Sequence, residues 1–134
     1  MPLALEIVTP ERRILSSVAC DEVRAPGALG GFGIRPRHAP FMSALEPGLL
    51  TYVVAGEEHH FAVGGGMLQV ADDKVLVLAD TAEEAAEIDV ERAQRAFREA
   101  TERLRSLTEQ DAHHPVESAR VRRAAARLHV AGKL

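Results

Sequence analysis

The chain has 134 residues and a mass of 14.5 kDa, of which 46% is hydrophobic and 27% charged. This composition suits one folded domain, or a small domain with an appendage, and excludes a disordered chain. Twenty Asp and Glu against sixteen Lys and Arg leave a net charge of −4, and aromatics are 4% with no Trp; both count against nucleic-acid binding, which draws on a basic excess or on stacking rings.

A single Cys20 rules out an intramolecular disulfide and a cysteine-built zinc site. No apolar run reaches the ~18 residues that span a membrane. The opening MPLALEIVTPERR has no basic n-region and carries Glu6 within its apolar stretch, so no secretory signal and a cytoplasmic compartment are expected.

In chain order, Leu3, Leu5 and Ile7 alternate with Ala4, Glu6 and Val8, the period of a half-buried strand, and Thr9-Pro10-Glu11 ends it. Ile14 to Val18 reads as a second strand. The glycine-rich stretch Gly27 to Gly33 invites a phosphate-loop reading, but such a loop must open a helix. Here Pro36 and Pro40 follow, no helical stripe begins and no Gly-Lys-Ser/Thr is present, so a tight exposed turn is expected.

Leu49–Val54 and His60–Val63 flank Ala55-Gly56-Glu57-Glu58, and Met67–Val70 and Val75–Leu78 flank Ala71-Asp72-Asp73-Lys74. Each set predicts a hairpin. Gly64-Gly65-Gly66 between them predicts a bulge or bend. The apolar run Val75 to Ala79 predicts a strand covered on both faces. Together these strands imply an antiparallel sandwich or barrel.

The period then changes. Between Thr81 and Ala131 there is no glycine and only Pro115 among prolines. Ile88, Ala93, Ala96, Phe97, Ala100, Leu104 and Leu107 recur at steps that make a helical stripe, with Asp89 as N-cap. Pro115 places the helix break at Gln110–Pro115. Val121, Ala124, Leu128 and Ala131 then make a second stripe. The expectation is an antiparallel helical hairpin with narrow, Ala-rich faces, each Ala contributing about 1 kcal/mol or less. The boundary falls between a sheet domain, residues 1–84, and a helical domain, residues 85–134.

No catalytic constellation assembles. The six histidines show no metal-ligand spacing, and His59 and His60 fall on opposite faces of a strand. Cys20 lies beside Asp21 and Glu22, which raise a thiol pKa. No GxSxG occurs. The residues alone therefore point to a binding or coupling module, with no catalytic residue, no metal and no required cofactor.

Charge is segregated: residues 81 to 91 carry five acids and no base, and residues 118 to 134 carry five bases and no acid. Arg123 and Arg127 lie four apart on one helical face. An antiparallel hairpin would bring them near Arg92, where three guanidiniums among small alanines leave room for a polyphosphate. The plainer alternative is that Arg123 and Arg127 pair with Glu84, Glu87, Asp89 or Glu91.

Several long segments, in order, carry a family resemblance. They are Val8–Arg12, Gly27–Pro40 with Leu45-Glu46-Pro47-Gly48, Phe61–Val70, and Val77–Glu83. Through them the chain resembles, nearly end to end, the epsilon-subunit family of F-type proton-translocating ATP synthases. The resemblance implies a flattened ten-stranded β-sandwich followed by a two-helix hairpin. It also implies a non-catalytic rotor subunit of the central stalk, whose sandwich contacts the gamma subunit and the c-ring, peripheral on the cytoplasmic face of a bacterial inner membrane.

Gly30, Gly31, Phe32, Arg37 and His38 would belong to that contact surface. The hairpin would switch between folded and extended forms, the extended one opposing ATP hydrolysis. Arg120 and Arg122, with Arg123 and Arg127, would meet an acidic stretch of the beta subunit. Some members bind ATP in the folded hairpin through an Ile/Leu-Asp-x-x-Arg-Ala motif and two later arginines. The matching positions are Ile88, Asp89, Arg92, Ala93, Arg123 and Arg127, with Glu83 beside them. One departure is Glu99, where a further arginine sometimes stands; Arg98 is one step around. The alternative function is a free-standing sandwich and hairpin that binds a small ligand.

Overall fold

The computed structural model describes Pro2–Lys133. Eight strands come first: β1 (Leu3–Val8), β2 (Arg13–Cys20), β3 (Glu22–Ala25), β4 (Phe32–Ile34), β5 (Phe41–Val54), β6 (Glu57–Ala71), β7 (Lys74–Ala79) and β8 (Ala82–Glu83). Two helices follow, α1 (Val90–Arg105) and α2 (His114–Val130). The strand order is β2-β1-β7-β6-β5-β3-β4, with β8 on β6. All pairings are antiparallel except β1 with β7.

The long strands β5 and β6 build both layers of the sandwich. Their pairing runs from Phe41↔Val70 to Leu45↔Gly66, skips a step, and resumes at Pro47↔Gly64. Gly65 and Gly66, with φ of +106° and +140°, turn the strand at this skip. On one side of the bend β6 pairs with β7, which pairs with β1; on the other side β5 pairs with β3. The β-sandwich followed by two helices is thus present. Counting β5 and β6 as two segments each at the bend turns eight elements into ten.

Both predicted hairpin turns form. Ala55-Gly56 and Asp72-Asp73 have positive φ at both turn positions, which matches the right-handed twist of the flanking strands. Ala55, unusual there, has its N–H held by Asp21 Oδ2 at 2.9 Å. The core is a single cluster in which Leu3, Leu5 and Ile7 of β1 meet Leu50, Phe61 and Leu68. None of its buried members lies beyond Ala82.

Two expectations need correction. β7 alternates rather than being covered on both faces: Val75, Val77 and Ala79 are buried while Leu78 is 50% exposed. The helix break lies before His114, and Pro115 sits in the first turn of α2, where its missing N–H has no helical acceptor to lose. The Phe41–Glu46 half of β5 carries no clear alternation and stands between Pro40 and Pro47, so its strand was not legible.

Candidate functional site

The hairpin is shaped by its caps. Asp89 accepts the N–H of Arg92 at 3.1 Å and starts α1. At the other end Lys133 N–H donates to Leu128 O at 2.7 Å over Gly132, φ +75°, closing α2 in a Schellman turn. Ala93, Ala100 and Ala124, all nearly inaccessible, let the helices approach closely. α2 packs on α1 and also on β5 and β6. A Cβ on Gly64 would overlap the Thr81 hydroxyl, so glycine is required there by the chain leading into β8, while the Arg123 stem lies alongside at ordinary contact distance.

The predicted arginines divide between two pockets that share Arg127. A pocket of about 200 Å³ is formed by Glu83, Glu87, Asp89, Arg92, Ala93 and Arg127. A second, of about 180 Å³, includes Ala96, Ala100, Arg120, Arg123 and Arg127. They meet at Arg127. Each alone is smaller than the ~300–1,000 Å³ usual for a ligand pocket. Ile88 lines neither. Arg127 Nε donates to Glu83 Oε1 at 2.7 Å, a carboxylate outside the set the spacing suggested. Glu87 is taken by Arg12 at 2.7 Å. Arg92 and Arg123 make no ion pair among the described residues.

The partner-facing candidates divide. Gly30, Gly31 and Phe32 line a broad open groove of about 800 Å³ together with Glu46, Pro47 and Arg122. Leu29 at the loop tip is fully exposed. Gly27 cannot carry a side chain, since a Cβ would lie 2.5 Å from Gly30 O and 2.7 Å from the Phe32 ring. Arg37, at φ +68°, donates its N–H to Asp73 Oδ1 at 2.6 Å, which ties the segment to the β6–β7 turn. The His38 and Phe32 rings both meet Phe41 edge-on.

Arg120 is 2.7 Å from Glu117, and Arg122 is 3.6 Å from Glu46. Glu117 is buried between Arg120 and Arg103. Burial pushes its carboxyl up, but hydrogen bonds and charge from the two arginines outweigh this and hold it below the usual carboxylate range.

Sequence reasoning missed Arg12, Glu46, Arg103 and Glu117, whose partners are 14 to 76 positions away or, for Arg120, hidden within a basic run. It also missed the exposed Met67 and Leu78, which face each other across β6 and β7.

Cys20 is buried, and desolvation, then Asp21, push its thiol up to about 11, so it stays protonated at neutral pH. His59 stacks on Tyr52 at 4.8 Å, while His60 Nδ1 lies 2.8 Å from Thr51 Oγ1, on the other face. Among the described residues no three His, Cys, Asp or Glu are placed to hold a metal ion. No described helix is long and apolar enough to cross a membrane.

Two family models match. Residues 2–85 fit the ATP synthase delta/epsilon chain β-sandwich domain, and residues 86–132 fit the ATP synthase delta/epsilon chain long α-helix domain. The chain is 70% identical to the ATP synthase epsilon chain of Anaeromyxobacter sp. (strain Fw109-5) over 99% of its own length and all of that relative. It is 52% identical to the ATP synthase epsilon chain of Myxococcus xanthus (strain DK1622), covering 94% of this chain and 92% of that one. A chain of the Euglena gracilis mitochondrial ATP synthase, solved with OSCP, F1 and c-ring, shares the fold with a TM-score of 0.70 at 20% identity, over 98% of this chain and 78% of the other.

Proposed function

The chain belongs to the delta/epsilon chain family of ATP synthase, and from that membership we propose that it is a non-catalytic rotor subunit of the central stalk, coupling F1 to the c-ring. In this reading the sandwich binds the gamma subunit and the c-ring, with the Gly30–His38 segment at the contact. The assembly lies on the cytoplasmic face of a bacterial inner membrane, and this subunit is peripheral. The helical hairpin opposes ATP hydrolysis when it extends, its basic helix meeting an acidic stretch of the beta subunit. ATP held by Arg92, Arg123 and Arg127 favours the folded hairpin and relieves that inhibition.

The observation that carries the regulatory half is how the hairpin is attached. The core cluster ends at Ala82, and α2, which packs on β5 and β6, is tied to the sandwich by partly exposed ion pairs, Arg122–Glu46 and Arg127–Glu83. Such pairs contribute about 0–1 kcal/mol each, so docked and released states can lie within the few kcal/mol that a switch requires.

The test is ATP hydrolysis by an F1 assembly carrying either the full chain or one ending at Glu84. The shortened chain should assemble and release hydrolysis several-fold. Equal rates would remove the inhibitory role, and failure to assemble would remove the assignment of stalk contact to the sandwich.

A further inference from the structure

We propose that the open edge of β6 from Glu58 to His60 is a docking site for residues 84–87 of the same chain, which pair with it as a continuation of β8 when the hairpin leaves the sheet. The inference rests on the reading that the hairpin has a released form, and it says where the connecting chain goes in that form.

β8 pairs with β6 as Ala62↔Glu83 and Val63↔Ala82, and Gly64 N–H donates to Thr81 O at 2.9 Å. In an antiparallel ladder the hydrogen-bonded pairs recur every second residue. Gly64 with Thr81 is one such pair and Ala62 with Glu83 is the next. His60 with Ala85 and Glu58 with Glu87 would follow in the same register, but the ladder stops after Glu83. On their other side Glu57–Phe61 are paired with β5, while on this side no strand meets them among the described residues. Glu57, Glu58, His59 and His60 are all exposed. An exposed row of unpaired backbone groups is a template for a further strand.

The nearest chain is the one that has just left this edge. Ala85–Glu87 make a single 3-10 turn in which no residue is buried. Side chains hold it: Glu84 N–H donates to Glu87 Oε1 at 3.1 Å, and Arg12 pairs with Glu87 at 2.7 Å. On either side of the turn, Glu84 (φ −85°, ψ 165°) and Ile88 (φ −87°, ψ 125°) are already extended. Conversion to strand therefore changes the backbone of Ala85, Ala86 and Glu87 alone. It trades the surface contacts of Glu87 for backbone bonds to His60 and Glu58. The added strand carries the start of α1 about 10 Å along β6, toward the Ala55-Gly56 turn.

Adjacent prolines separate this strand from a linker that only flexes. Ala85 and Ala86 are exposed and open the turn, where a backbone N–H has no helical acceptor. Ala85→Pro suits the turn, because Glu84 before it is already extended, and it blocks the strand by removing the N–H that would meet His60 O. Ala86→Pro does the reverse. It forces Ala85 out of the turn toward extended backbone, while in the strand its missing N–H would point away from β6.

The experiment is ATP hydrolysis by an F1 assembly carrying the native full chain, Ala85→Pro or Ala86→Pro, at an ATP concentration where the native assembly is partly inhibited. An assembly with the chain ending at Glu84 is the uninhibited reference. Hydrogen exchange at the His60 amide is read in the assembly and in the free full chain, so that it does not depend on assembly. Ala85→Pro should raise hydrolysis several-fold and leave His60 exchanging fast. Ala86→Pro should lower hydrolysis and slow the His60 amide several-fold.

Prolines that act in the same direction, or not at all, would overturn the strand and leave the released form standing. Opposite effects on hydrolysis with His60 exchange unchanged would do the same. Hydrolysis no faster with the chain ending at Glu84 than with the native chain would overturn the released form and the strand with it.

Discussion

Gly66 holds the sandwich together at a single Cα. Its φ of +140° lies in a region that L side chains rarely adopt, and a Cβ there would overlap Leu78 O and lie 2.8 Å from Ala79 Cα. Both obstacles are backbone, so no side-chain rotation relieves them. Gly66→Ala should cost about 3 kcal/mol in unfolding free energy, from strain and displacement combined. Gly56→Ala, at φ +84° with open space around it, should cost less. Urea titrations of both variants check the ranking, and equal losses would mean that the close approach of β7 contributes nothing. The sequence announced a bend at Gly64-Gly65-Gly66 but not the close approach of Thr81 to Gly64, which depends on a segment seventeen positions later.

At the scale of the element, the hairpin depends on a buried carboxylate as much as on its alanines. Glu117, at the start of α2, reaches Arg103 near the end of α1 at 3.1 Å and Arg120 one turn on at 2.7 Å. Its carboxyl is held below the ordinary range, so the folded state binds that proton less readily than the unfolded chain. The sign follows from linkage: the contribution is fully present above the ordinary carboxyl pKa of about 4.3 and is lost as pH falls through the lower folded value. Glu117→Gln should therefore melt at a lower temperature than the native chain at pH 7, with the gap closing toward pH 3. Melts followed by circular dichroism at both pH values check this, and a gap independent of pH would show that the carboxylate charge is not what joins the helices. The stripes and Asp89 made the helices legible; Pro115 misled the boundary because proline breaks a helix interior yet fits its first turn.

For the whole molecule, the division of labour between sheet and hairpin is an energetic one. The buried core cluster ends at Ala82, and α2 is tied down by pairs that water can reach, Arg122–Glu46 and Arg127–Glu83. A chain ending at Glu84 should therefore keep its sheet and unfold cooperatively, losing no more than about 2 kcal/mol, the scale of a few exposed ion pairs and alanine contacts. Denaturant unfolding of the full and shortened chains measures this. A shortened chain without a cooperative transition would show that the helices belong to the core.

The amino-acid pattern by itself determined an antiparallel sandwich or barrel followed by a helical hairpin, through alternation in Leu3–Val8, turn residues at Ala55-Gly56 and Asp72-Asp73, and helical stripes free of glycine. The family and the sandwich came from the resemblance of long segments such as Gly27–Pro40. The pattern also placed Arg123 and Arg127 on one face of the second helix, because helix periodicity fixes which residues share a face. Only the tertiary structure decided which carboxylate each arginine meets. Glu83 reaches Arg127 across 44 positions and Glu87 reaches Arg12 across 75. Such pairs form where a strand end and a helix face happen to be brought within reach of each other, and no periodicity along the chain encodes that distance.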